Sequence, residues 1–490
     1  MEDKAVKRSV KKSAKQGKGI ACPVFSKCGG CQLQNMDYAG QLSFKQAKCI
    51  KLLGKFGHVD EIIGMKEPTH YRCKVQAAFG TTRGGKIISG VYQASSHRIV
   101  LVNDCMLENR KADKIIVTIR ALLSEFHLSP YNEDTGRGFL RHVLVRVGYY
   151  TGEIMVVLVT STPMFPRKND FLRQLLTLHP EITTVVQNIN AAETSMVLGT
   201  SEKVLFGKGA IEDRLCGCTF RISPTAFYQI NPVQTQVLYN TAMNFAGLTG
   251  EETVLDAYCG VGTIGLVAAK NAKQVIGVEL NADAVHDAVA NAKLNRADNI
   301  RFLCADAGDY ARELAENGET VDVLFMDPPR AGSSPRFLAS AVKLAPKRIV
   351  YISCNPETLA KDLLTLTRGG YRVKKIQPVD MFPWTEHVET VVLLSKLISS
   401  QHIEIDLALD ELDTTAAEKT ATYSQIQAYV EEHFGLKVSP LYIAQVKRKF
   451  GIIERDSYNK PKNADAKQPK CPPEKEKAIT ETLRFFGMIK

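Results

Sequence analysis

Thr253-Val254-Leu255-Asp256-Ala257-Tyr258-Cys259-Gly260-Val261-Gly262-Thr263-Ile264-Gly265 runs from a short apolar strand through a glycine-rich turn into the start of a helix. Small residues in such a turn let a ligand approach the backbone. The G-x-G-x-x-G spacing also serves dinucleotides, so the turn alone leaves a nicotinamide enzyme open. The surrounding chain supplies the context. Strand-like segments alternate with helical ones over Thr253–Ala257, Gln274–Glu279, Ile300–Ala305, Val321–Met326 and Arg348–Ser353, and Tyr371–Pro378 and Glu389–Ser395 follow. That alternation predicts an α/β, Rossmann-like, doubly wound sheet whose ligands gather at the C-terminal strand ends.

Upstream, Tyr38–Phe56 reads as a helix, Tyr71–Phe79 and Ile87–Val102 as β-rich, and Val143–Val159 as a hairpin turning at Tyr150–Glu153. This middle region has the look of an α+β substrate- or RNA-binding unit. Ahead of it stand Cys22, Cys28 and Cys31, with Cys105 further on. Downstream, amphipathic segments Tyr423–Phe434 and Pro440–Phe450 predict a small helical module after an acidic linker. The expected organisation is a basic disordered tail over 1–20, an α+β domain over 21–215, the α/β domain over 216–398, a linker over 399–420 and a helical extension over 421–490.

The chain has 490 residues, 44% of them hydrophobic, and a formal charge of +11. It has no apolar run of membrane-spanning length, and its lysine-rich start lacks the apolar stretch of a secretion signal, so a cytoplasmic protein without membrane contact is expected. In that reducing compartment, twelve scattered cysteines favour metal binding or catalysis over disulfides. The basic arm Lys4–Lys18 and the run Lys447-Arg448-Lys449 are attracted to anions, RNA among them, or simply solubilise the chain.

The later strand ends discriminate what the glycine turn does not. Asp327-Pro328-Pro329-Arg330 and Ser353-Cys354-Asn355-Pro356 place a stiff loop and a cysteine at the binding edge, which hydride transfer does not require and methyl transfer to a base does. Carbon 5 of uracil is a poor nucleophile. A thiolate adding at carbon 6 creates an enolate reactive at carbon 5, and a base must then remove the carbon 5 proton. Cys354 is the candidate thiol, while Cys304 and Cys49 interrupt apolar patterns and read as inert. Glu389, opening an apolar strand, is the candidate base, raised by desolvation, with His387 a competitor. Glu279, ending the second strand, suits ribose hydroxyls; Asp306 reads equally as a helix cap or an adenine contact.

Together these motifs resemble the RNA uridine-5-methyltransferases, in particular their iron–sulfur-containing ribosomal branch. The resemblance spans Ala21 to Leu397 and rests on Gly138-Phe139-Leu140-Arg141-His142, Phe227-Tyr228-Gln229-Ile230-Asn231-Pro232, the glycine turn, Asp-Pro-Pro-Arg, Ser-Cys-Asn-Pro and Asp380-Met381-Phe382-Pro383 through Glu389. It implies a seven-stranded S-adenosyl-L-methionine-dependent methyltransferase domain, Cys354 as nucleophile and Glu389 as base. It further implies cofactor contacts from Gln229, Tyr258, Thr263, Glu279, Asp306 and Asp327, with Gln229 and Asp327 also near the target base. Thr263 departs from relatives that carry asparagine there. Spacing alone leaves zinc and an iron–sulfur cluster equal for Cys22, Cys28, Cys31 and Cys105; the resemblance implies a [4Fe-4S] cluster. The implied substrate is a uridine in 23S ribosomal RNA or a pre-ribosomal particle, methylated by a monomer. A tRNA uridine substrate and a non-catalytic ribosome-assembly or RNA-refolding role are the alternatives, and methylation of a base amine is disfavoured because Arg330 stands where those enzymes carry an aromatic.

Overall fold

The computed structural model describes residues 22–93, 96–192, 194, 196–397, 423–450, 471–486 and 488–489. The basic arm Lys4–Lys18 and the linker expected over 399–420 lie outside them. The chain divides into two compact units, one within Met1–Ile398 and one within Ser399–Lys490.

The first half of the larger unit is a seven-stranded sheet of β1 (Lys74–Thr81), β2 (Ile87–Tyr92), β3 (Ile99–Leu101), β4 (Leu140–Val147), β5 (Ile154–Thr160), β6 (Ile182–Ile189) and β7 (Ser201–Phe206), in the order β3-β2-β1-β4-β5-β6-β7. All neighbours are antiparallel except β5 and β6, which are parallel with helix Lys168–Leu178 between them. The β-rich segment Ile87–Val102 holds β2 and β3, and β4 and β5 form the hairpin, where Gly152 supplies a φ of 76° that other residues adopt at a cost.

Every residue of β4 and β5 is buried, because both faces of the sheet are covered. One face packs on helices Arg110–Glu125 and Lys168–Leu178 through Val143, Val145 and Val156. From the other, Leu144, Met155 and Val157 join a core that continues through Leu238 and Val254 into the second half. The two halves therefore share one interior. The hairpin of β8 (Ile211–Leu215) and β9 (Cys218–Ile222) lies across the expected 215/216 boundary and contributes Ile211 and Phe220 to that core.

The second half is a seven-stranded sheet in the order β12-β11-β10-β13-β14-β16-β15, built from β10 (Thr253–Ala257), β11 (Gln274–Glu279), β12 (Ile300–Cys304), β13 (Val323–Met326), β14 (Arg348–Ser353), β15 (Tyr371–Val379) and β16 (Glu389–Lys396). β10 to β14 run parallel, and β16 is antiparallel to both β14 and β15. This is the α/β fold expected from the alternation. Helix Tyr38–Leu53, capped by Asp37, which accepts from Gly40 N at 2.8 Å, buries Cys49 and Leu53 against this second sheet, although its sequence lies in the first half.

Cys49 is fully buried, as its place in an apolar pattern suggested, whereas Cys304 is exposed. The reason is position: β12 is the sheet's edge strand and Cys304 its last residue. The smaller unit contains helices Tyr423–Phe434, Pro440–Lys449 and Pro473–Phe485 around Ile426, Val430, Ile443, Val446, Ile479 and Leu483. The third of these was not anticipated. Among the described residues no helix is long and apolar enough to cross a membrane.

Candidate active site

The C-terminal ends of β10, β11, β13 and β14 open into a cavity of about 800 Å³. After β10 the chain turns sharply at Tyr258, Gly260 and Gly262, with φ values of 65°, 54° and 83°. A Cβ on Gly262 would lie 2.7 Å from the Phe302 ring, so only glycine fits there. The Asp256 carboxylate accepts from Gly265 N at 2.7 Å and ties the strand to helix Thr263–Ala269. Its other oxygen is buried without a partner, and burial, reinforced by Asp327 and Glu279, pushes its carboxyl up to about 8. At the end of β11, Glu279 accepts from Gly260 N at 3.1 Å and Asn281 N at 2.9 Å, which fixes the carboxylate against the glycine turn.

Asp327 follows β13, and burial raises its carboxyl to about 7. Cys354 stands between β14 and helix Pro356–Arg368, whose start is capped by Asn355 accepting from Glu357 N at 3.0 Å. The antiparallel register of β14 and β16 pairs Ile352 with Val391 and Ser353 with Thr390. Continued by one residue, it sets Cys354 opposite Glu389. A thiol and a carboxyl far apart in sequence thus meet because β16 reverses direction. Burial pushes the thiol up to about 11, with the Glu389 and Asp327 charges adding and Arg330 opposing. Glu389 is 4% exposed, and burial first and Asp327 second raise it well above the usual carboxylate range.

Gln229 reaches the same cavity from a loop held at several points. Arg146 of β4 donates to the carbonyls of Pro224 and Ala226 just ahead of it, Cys73 N donates to Ile230 O at 2.8 Å, and Asn231 donates to Met381 O at 2.8 Å. All eight residues expected to carry catalysis or cofactor contacts, Cys354, Glu389, Gln229, Tyr258, Thr263, Glu279, Asp306 and Asp327, line this one cavity. Asp306 also caps helix Ala307–Glu316, accepting from Gly308 N at 2.9 Å and Asp309 N at 3.0 Å, so one of its oxygens is committed to the backbone. The Thr263 hydroxyl lies 3.1 Å from that of Tyr239. His387 accepts at Nδ1 from Arg330 at 2.9 Å, and burial and that guanidinium lower its pKa; with the lone pair engaged, it is the weaker base candidate.

Sequence reasoning passed over Arg72 and Tyr239, which also line the cavity. Neither stands in a motif, and only tertiary packing brings them there. Phe227, in the motif with Gln229, is 70% exposed at the same cavity.

Cys22, Cys28, Cys31 and Cys105 line a second cavity of about 330 Å³. Among the described residues, however, no three His, Cys, Asp or Glu side chains are grouped so as to hold a metal ion. The expected metal site is therefore a gathering of thiols around one space, not a formed ligand set. Arg72 lines both cavities.

The model of the family described as tRNA (Uracil-5-)-methyltransferase matches residues 37–397. An uncharacterized RNA methyltransferase of Halalkalibacterium halodurans is 45% identical over 378 residues, 76% of this chain and 82% of that one. One from Listeria innocua is 45% identical over the same length, 76% and 83%. Among solved structures, the Pyrococcus abyssi tRNA (uracil-54, C5)-methyltransferase in complex with S-adenosyl-L-homocysteine is 30% identical, with a TM-score of 0.62 over 74% of this chain and 85% of that one.

Proposed function

Since the chain belongs to the tRNA (uracil-5-)-methyltransferase family, with the α/β fold of S-adenosylmethionine-dependent RNA methyltransferases, we infer that it methylates carbon 5 of a uridine in 23S ribosomal RNA, in the cytoplasm and as a monomer. The observation that carries this reading is that Cys354, Glu389 and Asp327 line one cavity at the ends of the paired strands β14 and β16, close enough for both carboxyls to act on the thiol.

The Cys354 thiolate adds to carbon 6 of the uracil, and the ring electrons move toward carbon 5. Gln229, Tyr258, Thr263, Glu279, Asp306 and Asp327 would hold S-adenosylmethionine, whose sulfonium would supply the methyl group to carbon 5 and leave as S-adenosylhomocysteine. Glu389, as a carboxylate, then removes the carbon 5 proton, the double bond re-forms and the thiolate leaves. Desolvation suits Glu389 to this task, because a base held above the ordinary carboxylate range accepts a proton more readily near neutral pH. Arg330, whose charge favours the thiolate, aids the first step.

The ribosomal target and the [4Fe-4S] cluster are the finer parts of the reading. Four thiols around one cavity are a donor set that suits such a cluster, held by Cys22, Cys28, Cys31 and Cys105. Stoichiometric iron and sulfide in anaerobically purified protein support it; colourless, zinc-containing protein contradicts it. A tRNA uridine is the second reading, favoured by the family description and by the substrate of the Pyrococcus abyssi enzyme. Nucleoside digestion of 23S ribosomal RNA and of tRNA from a deletion strain decides between them. Loss of 5-methyluridine from the first supports the ribosomal target, loss from the second supports tRNA, and loss of a different methylated nucleoside overturns both.

A further inference from the structure

Glu389 is preceded by the loop Asp380–Val388, which contributes Phe382, Thr385 and His387 to the cavity. This loop is held by its carbonyls in an unbroken series. Asp380 O accepts from Gln234 Nε2 at 3.0 Å and Met381 O from Asn231 Nδ2 at 2.8 Å. Phe382 O accepts from Lys45 Nζ at 3.0 Å and Pro383 O from the Tyr71 hydroxyl at 2.9 Å. Trp384 O then accepts from both Gln32 N and Leu33 N at 3.1 Å each. Those last two donors directly follow Cys31 in sequence.

Trp384 is the point at which the cysteine-bearing segment acts. It is the chain's only tryptophan, 3% exposed, with a φ of 71° that a bulky residue keeps only where its surroundings enforce it. Its N–H donates to Gln41 Oε1 at 2.8 Å and its indole N–H to Pro68 O. Its ring packs with Met65, Tyr71 and Leu107, and Cys31 and Cys105 lie against the same cluster. Every polar group of the residue is thus committed to the N-terminal part of the chain.

We propose that Trp384 is a positioning residue through which the cysteine-bearing segment Cys22–Leu33 sets the loop that presents Glu389 to the substrate. The cysteine-lined cavity then governs the alignment of the base, and a change there reaches the chemistry while leaving in place the glycine turn, Glu279 and Asp327, which stand at the ends of β10, β11 and β13. The proposal rests on Glu389 being the base, as inferred above.

The test uses the full-length protein, with Trp384 as its own fluorescent reporter. Cys31→Ser disturbs the segment from one side, and Gln41→Leu removes the acceptor of the Trp384 N–H from the other. Each is expected to move Trp384 emission to longer wavelength and to lower kcat for uridine methylation by about tenfold or more, the scale expected when a buried donor loses its partner. S-adenosylhomocysteine affinity stays within about twofold, since the glycine turn, Glu279 and Asp327 lie outside this loop. The double variant loses no more than the worse single one, because both act through one residue. Trp384→Phe, which keeps a ring in the cluster, retains more kcat than Trp384→Ala. Unchanged emission, normal kcat despite shifted emission, or losses that multiply in the double variant would each overturn the proposal. If Cys31→Ser fails to bind S-adenosylhomocysteine, the Trp384→Phe and Trp384→Ala pair decides: equal kcat in the two rejects the positioning role. A wild-type protein that methylates no uridine defeats the functional reading instead, and leaves the emission measurements to judge the mechanical link separately.

Discussion

Cys354 carries a handicap as a nucleophile, since burial and two neighbouring carboxyls hold its thiol at about 11, with the Arg330 charge and a backbone hydrogen bond pulling the other way. Removing that guanidinium with Arg330→Met should raise the thiol further and slow alkylation by iodoacetamide several-fold, measured by mass spectrometry of the Cys354 peptide. An unchanged rate would mean that Arg330 does not act on the thiol. Cys354→Ala should abolish turnover, and equal rescue of a null strain by wild-type and Cys354→Ser protein would favour a non-catalytic assembly role instead. Glu389 works only as a carboxylate, and its pKa is raised. The acid limb of the kcat profile should therefore lie well above the value of about 4.3 typical of glutamate. A limb at that ordinary value contradicts the assignment. The candidacy of both residues was legible from chemistry and from position beside strands. Their meeting was expected because the chemistry needs both groups at one base, but no local pattern shows it, since it depends on an antiparallel strand that joins the sheet from outside the βα alternation.

At the scale of elements, the thiol's position depends on where helix Pro356–Arg368 begins. Asn355→Ala removes its cap and should cost about 1 kcal/mol, visible as a lower melting temperature together with looser control of Cys354. The base-bearing loop depends on a buried ion pair: Lys45 donates to Asp380 at 2.6 Å with both side chains fully inaccessible, and Tyr38 donates to the same carboxylate at 2.9 Å. Lys45→Met leaves a buried charge unpaired and should cost about 3–5 kcal/mol, while Lys45→Met with Asp380→Leu recovers part of it. No recovery would show that the pair is not coupled. β10, β11 and β14 were readable to the residue, because buried parallel strands are short apolar runs and each of these follows a charged residue, Glu252, Lys273 or Lys347. Helix Pro473–Phe485 was not: its charged surface, rich in Glu and Lys, hides the narrow stripe of Ala478, Ile479 and Leu483. Arg72 and Tyr239 escaped notice for a related reason, since nothing local marks a side chain that reaches a cavity through tertiary packing.

For the molecule as a whole, three buried carboxyls have raised pKa values: Asp327 at about 7 and Glu389 above its usual range line the cavity, and Asp256 at about 8 is buried in β10, where the charge of Asp327 reaches it. Each binds its proton more tightly folded than unfolded. The stability they contribute is thus fully present below the unfolded value, 3.8 for aspartate, and is lost as pH rises through the folded values. Melting temperature should fall between about pH 4 and 8. Asp256→Asn, which can still accept from Gly265 N, should flatten that fall and melt a few degrees above wild type at pH 8 but not at pH 4; parallel profiles would contradict the assignment. The central claim concerns chemistry at one cavity, and one measurement addresses it most directly. Glu389→Gln protein is incubated with S-adenosylmethionine and 23S ribosomal RNA or tRNA, digested, and analysed by peptide mass spectrometry. Losing the base should slow turnover by about 10²–10⁴ and trap a methylated uridine covalently on Cys354. RNA methylated by this variant at full rate with no adduct, or an adduct on another residue, would contradict the account.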